Sequence, residues 1–120
     1  MADPLIAPGD VICRGSALAE RGDGVRFMVL IRERAQAAFA IRVDGRAHAY
    51  LNACAHLPME LDWNAGKFFD SEQAVLLCST HGAAYDPSTG ECRGGPCRGG
   101  ALVRIAVVER DQHVYLEGMA

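Results

Sequence analysis

Two short cysteine–histidine pairs constrain this chain more than any other feature: Cys54-Ala55-His56 and, after 21 intervening residues, Cys78-Ser79-Thr80-His81. Each is followed by residues suited to a tight loop, Leu57-Pro58-Met59 after the first pair and Gly82-Ala83-Ala84-Tyr85 after the second. Gly94-Gly95-Pro96 lies downstream. Two thiolates and two imidazoles complete a ligand set for a metal centre, and such a set suits zinc as well as iron.

Around these pairs the sequence reads as short strands. Val25–Ile31 is an apolar run fit for a buried strand. Phe39–Val43 and Arg46–Leu51 flank Asp44-Gly45, the pattern of a two-residue hairpin, and that hairpin delivers the chain to Cys54. Val75–Leu77 is a short strand feeding Cys78, and 86–90 (Asp-Pro-Ser-Thr-Gly) has turn composition. Leu102–Val108 and His113–Glu117 form a final hairpin. Residues 1–10 form an extended lead-in, and 57–74 are irregular. Helical propensity makes a turn of helix the alternative at Ala17–Glu20 and Arg34–Ala38. The whole describes one domain, 1–120, in which strands from both ends of the chain enclose an inserted segment at about 52–97.

With 120 residues, half of them apolar, the chain can bury a small core. A net charge of −3 and the lack of a basic, aromatic-interleaved run argue against nucleic acid as partner. No apolar stretch of about 18 residues offers a membrane span, and the first residues lack the pattern of a secretory signal, so a cytoplasmic protein is expected. Five cysteines, an odd number, do not suggest a disulfide framework. Cys13 reads as a small apolar filler; Cys92 and Cys97 flank Gly94-Gly95-Pro96 and could approach each other, but read as reduced, buried thiols. His48 and His113 read as ordinary strand residues. Trp63, Phe68 and Phe69 read as a satellite core, with a docking surface as the sharper alternative. Arg93 and Arg98 read as solvated, or else as partner contacts.

The pattern C-x-H … C-x-x-H-G-x-x-Y-D … G-G-P, over Cys54 to Pro96, resembles the Rieske 2Fe–2S proteins, and the likeness extends over roughly 38–118. The spacer between the pairs is somewhat long for that family. The resemblance implies an all-β fold: a Rieske-like antiparallel β-sandwich base with an inserted cluster-binding subdomain. It implies one 2Fe–2S cluster, with Cys54 and Cys78 on the inner iron and His56 and His81 on the outer one. Those four ligands with those flanks make zinc the poorer assignment. Pro96 would belong to a loop covering the cluster, and Leu57 to the tip beside it.

The same resemblance speaks to the potential. In respiratory-chain relatives each ligand loop carries an extra cysteine and the two form a disulfide; Met59 and Thr80 stand here, so that bridge is absent. Ala83 replaces a serine that donates to a bridging sulfide, while Tyr85 matches the tyrosine that bonds a cysteine sulfur. Fewer donors to sulfur imply a potential toward the low end of the Rieske range, about −150 to +300 mV.

These features imply a one-electron carrier rather than an enzyme, a soluble Rieske-type ferredoxin. It would pass electrons from a separate reductase to an oxygenase or other oxidoreductase and dock by the cluster tip. The chain is too short to add a mononuclear-iron domain and has no glycine-rich dinucleotide fingerprint. The alternative is a redox-sensing or regulatory Rieske subunit of a larger reductase complex.

Overall fold

The computed structural model describes residues 3–55 and 59–119. Nine strands carry the chain: β1 (Val11–Arg14), β2 (Val25–Ile31), β3 (Arg34–Val43), β4 (Arg46–Leu51), β5 (Leu76–Leu77), β6 (Ala84–Tyr85), β7 (Cys92–Gly94), β8 (Arg104–Arg110) and β9 (His113–Met119). Six form an antiparallel sheet in the order β1-β9-β8-β4-β3-β2, and the other three form a small sheet, β5-β6-β7. The expected all-β architecture is therefore present, with the small sheet inserted between β4 and β8. Among the described residues no helix is long and apolar enough to cross a membrane.

Three two-residue turns shape the large sheet. Asp44 and Gly45 turn β3 into β4 with φ of 53° and 78°. Positive φ at both centres is the turn whose twist matches that of paired strands. Arg32-Glu33 and Asp111-Gln112 make the same kind of turn, with φ between 51° and 66°, without any glycine. The alanine-rich stretch 34–38 is thus strand rather than helix, because it pairs residue by residue with β2, and from Ala38 onward β3 pairs with β4 as well. Near Ala17–Glu20 only a single 3-10 turn forms, at Gly15–Ala17.

Strand alternation divides the core. Phe39, Ile41 and Val43 of β3 face one way, into a cluster with Tyr50, Leu61, Phe68, Leu76, Tyr85 and the two motif cysteines. Ala38 and Ala40 face the other way, into a second cluster with Phe27, Val29, Ile105, Val114 and Leu116. Successive side chains of a strand point to opposite faces, so a ten-residue strand buried on both sides can tie the two halves together. Between β4 and β8 only Ala49–Ile105 and Tyr50–Arg104 are paired. The second cluster draws on both halves of the sheet, Phe27 and Val29 of β2 with Val114 and Leu116 of β9.

The small sheet is fastened to the base by aromatics. Phe68 stacks on Phe39 with ring centroids 3.9 Å apart. The Tyr50 hydroxyl donates to the Pro87 carbonyl oxygen at 2.8 Å. Phe68 therefore belongs to the main core and Phe69 packs at its margin, but Trp63 is 84% exposed and is not part of a satellite core. Its neighbour Asp62 is buried.

Candidate metal centre

The base delivers both motif cysteines to one place. Cys54 follows β4 and is 5% exposed; Cys78 follows β5 and is 1% exposed. Both belong to one buried cluster, close enough for Cys54 to act on the Cys78 thiol. The second loop is closed on itself: Cys78 N–H donates to the Ala83 carbonyl at 2.8 Å and Gly82 N–H to the Cys78 carbonyl at 3.0 Å. Gly82 supplies the positive φ, 75°, that this tight return requires. His81 is exposed at the apex of that loop. In the first loop Cys54 N–H donates to the Met59 carbonyl at 2.8 Å, which closes the segment carrying His56. His56 itself, with Leu57 and Pro58, lies outside the described residues.

Burial pushes the Cys78 thiol up, and the neighbouring Cys54 adds to this, against the pull of the Thr80 and His81 backbone N–H groups. A buried pair of sulfurs resists ionisation unless a cation sits between them, and thiolate is the form that binds metal. The backbone donors aimed at Cys78 stabilise that form. Tyr85 does the same for Cys54: its hydroxyl oxygen lies 3.0 Å from Cys54 Sγ and accepts the Ala55 N–H at 2.9 Å. With its lone pair engaged by Ala55, the hydroxyl is left to donate to a thiolate at Cys54. Burial, then Cys54, pushes the Tyr85 hydroxyl up, so it keeps its proton. The donor set thus fits a thiolate-held iron–sulfur cluster on the cysteine side. Among the described residues no three His, Cys, Asp or Glu side chains converge on a single ion. A 2Fe–2S cluster does not ask for that, since it places two protein ligands on each of two irons.

The remaining site residues fall around this pair. Ala83 is fully buried behind the second loop and offers no side-chain donor, and Met59 is 41% exposed beside the first loop. Pro96 lies in an exposed 3-10 turn, Gly95–Cys97. Gly95 has φ of 81°, and a Cβ there would stand 2.7 Å from the Gly82 carbonyl oxygen. Only glycine lets the Gly94-Gly95-Pro96 segment lie this close on the loop that follows Cys78.

Two features depart from the sequence reading. Cys92 and Cys97 are joined in a disulfide rather than held as reduced thiols, because the Arg93–Pro96 loop returns the chain to within 5.6 Å, Cα to Cα. Arg93 is not simply solvated: its Nε donates to the Asp86 carboxylate at 3.1 Å. A third feature escaped it altogether. Arg26 of β2 donates to both oxygens of Asp62, at 2.9 and 2.8 Å, and also reaches Glu60 and Asp3. Asp62 also accepts from Asn52 Nδ2 and from Gly66 N–H, while Asn52 Oδ1 accepts the Leu61 N–H. This buried network pins the spacer beside both ligand loops, and Ser79 N–H bonds the Leu61 carbonyl at 3.0 Å. Its partners are up to 36 residues apart, so no local pattern signals it.

The profile of the Rieske 2Fe-2S domain matches residues 10–110. The ferredoxin of Sphingomonas yanoikuyae B1 superposes with a TM-score of 0.69 at 21% identity, covering 90% of this chain and 96% of that one. The ferredoxin of carbazole 1,9a-dioxygenase from Nocardioides aromaticivorans IC177 gives 0.70 at 18% identity, covering 93% and 99%. A chain in the complex of reduced oxygenase and oxidized ferredoxin in carbazole 1,9a-dioxygenase gives 0.71 at 22% identity, covering 92% and 94%. No curated protein sequence matches.

Proposed function

Since the chain belongs to the Rieske 2Fe-2S family, we propose that it is a one-electron carrier that takes an electron from a separate reductase and gives it to an oxygenase or another oxidoreductase. The observation that carries this reading is the pair of buried, adjoining cysteines with the Tyr85 hydroxyl 3.0 Å from Cys54 Sγ. Similar folds in ferredoxins, one of them in complex with an oxygenase, support the choice of partner.

In this reading Cys54 and Cys78 hold one iron, and His56 and His81 hold the other. The cluster supplies a single-electron couple, raised in potential by histidine ligation. The protein's part is to bind, shield and tune. Tyr85 donates toward Cys54, and the Thr80 and His81 amides toward Cys78, so extra negative charge on sulfur is stabilised. Ala83 withholds a further donor, which keeps the potential toward the low end of the family. Burial of the cysteines excludes water from their side of the site.

The histidine side is the face for electron exchange. We assign docking to a small apolar tip to which Met59 and Pro96 contribute and which the motif extends to Leu57, for weak, successive encounters with two partners, and nucleic acid and membrane take no part. We place the carrier in the cytoplasm as a single domain over 1–120. Protein-film voltammetry tests the reading: one reversible one-electron wave is expected, absent from Cys54→Ala and Cys78→Ala. A wild-type film with bound iron and no reversible wave would refute it.

A further inference from the structure

The Cys92–Cys97 disulfide closes the covering segment over Arg93, Gly94, Gly95 and Pro96. Backbone bonds extend the closure: Cys92 N–H donates to the Gly100 carbonyl at 3.0 Å and Gly100 N–H to the Cys97 carbonyl at 2.7 Å. The segment so closed leans on both ligand loops. At Gly95 a Cβ would stand 2.7 Å from the Gly82 oxygen and 3.1 Å from Ala83 Cα. At Gly100 it would stand 3.1 Å from Ala55 Cβ. Gly82 and Ala83 are the residues whose backbone grips Cys78, and Ala55 follows Cys54.

The disulfide is also reachable. Cys97 is buried, but Cys92 is half-buried and opens on a cleft of about 410 Å³ lined by Cys92, Arg93, Gly94, Gly95, Arg98 and Gly99. Arg93 and Arg98 line that cleft, the Arg93 guanidinium being engaged by the Asp86 carboxylate. Nearby cationic side chains favour thiolate over thiol, in an attacking sulfur and in a departing one.

We propose that Cys92–Cys97 is a thiol-exchange site, through which a dithiol reductant loosens the segment bracing both ligand loops. A reductant thiolate attacks the Cys92 sulfur from the cleft, the S–S bond breaks, and Cys97 leaves as a thiolate that takes up a proton. The reductant's second thiolate then attacks its own sulfur in the mixed disulfide and releases Cys92, which is protonated in turn. Two electrons and two protons pass to the protein, and the reductant dithiol becomes a disulfide. With the clasp open, Gly95 and Gly100 are no longer held on their neighbours, and the cysteine side of the site loses its outer support.

The consequence at the ligand loops rests on the carrier reading above; the exchange chemistry does not. The test is therefore read in two arms on purified holoprotein. In the first, alkylation and peptide mapping before and after dithiothreitol should find Cys92 and Cys97 joined at the start. Brief treatment of the native protein should then label both together. Labelling of either without reductant, or a pair reduced only after denaturation, would overturn the proposal. In the second, iron release to a chelator should quicken about tenfold on reduction, the low end of what losing outer-shell support costs a metal site. Cys92→Ser/Cys97→Ser should release iron at the fast rate and respond no further to dithiothreitol, whereas Cys13→Ser should behave as wild type. Iron release unchanged by reduction of the pair would refute the bracing role. A reducible disulfide in a protein purified with zinc would instead refute the cluster and leave the exchange site standing.

Discussion

Replacing Arg26 with methionine keeps an unbranched apolar stem in place of the arginine's and leaves the Asp62 carboxylate without its counter-charge. The Asp62 side chain is 0% exposed and that of Arg26 is 20% exposed. Four hydrogen bonds now reach the carboxylate, two from Arg26, one from Asn52 and one from Gly66. The variant keeps only the two neutral donors. Breaking a buried pair from one side costs about 3–5 kcal/mol, because a buried charge is left uncompensated. The partial exposure of Arg26 and the two surviving donors set the expectation at about 3 kcal/mol. With an ordinary urea slope near 2 kcal/mol per molar, the unfolding midpoint should fall by about 1.5 M. Asp62→Asn removes the charge itself while Arg26 retains Asp3 and Glu60, so it should cost only about 1–2 kcal/mol. In the double variant no buried charge remains, and its cost should be smaller than the sum of the two by about 2 kcal/mol. Urea titration of the holoprotein, followed by circular dichroism, reads all four corners of the cycle. Additive costs, or an Arg26→Met midpoint unchanged within error, would refute the claim that a buried charge pair pins the spacer.

Other consequences follow from the same geometry. Tyr85→Phe removes the donor to Cys54 and should lower the reduction potential, with an upper bound of about 60–130 mV if the full value of a charge-assisted bond is lost; voltammetry reads it. Ala83→Ser should move the potential the other way by adding a donor. Gly95→Ala, at φ of 81° and with 2.7 Å to the Gly82 oxygen, should lower thermal stability by about 1–3 kcal/mol and speed iron loss. For Asp86, burial raises the carboxyl but Arg93 and the Ser88 and Thr89 amides outweigh it and hold it below the usual range. Its stabilisation is therefore present above its ordinary pKa and lost as pH falls through the lower folded value. Acid unfolding should steepen below about pH 4, less so in Asp86→Asn. Met59→Glu should slow electron exchange with the partner while leaving the cluster spectrum unchanged.

Much of the frame was legible because its signals are local. Asp44-Gly45 between alternating runs marks the hairpin that leads into Cys54, and the strands at Val25–Ile31 and around 104–117 follow from apolar runs. The Arg32-Glu33 turn was not legible, since nothing in that dipeptide favours the positive φ it adopts; the in-register pairing of β2 with β3 imposes it. The centre was legible as spacing and flanking residues. That Tyr85 bonds a cysteine sulfur followed from the resemblance, whereas its choice of Cys54, 31 residues away, and the burial of both cysteines required the packed small sheet. The Arg26–Asp62–Asn52 network joins three distant segments, and each of its members reads alone as a surface polar residue. Cys92 and Cys97 were visible as a pair, but only the returning loop brings them together.

The central claim is a cluster held by two cysteines and two histidines, and electron paramagnetic resonance of the reduced protein, with its iron and sulfide content, tests it most directly. The account predicts iron and acid-labile sulfide in equal amounts, about two of each per chain, and a rhombic signal with the low average g-value of mixed histidine–cysteine ligation. Zinc in place of iron, or the signal of an all-cysteine cluster, would contradict it.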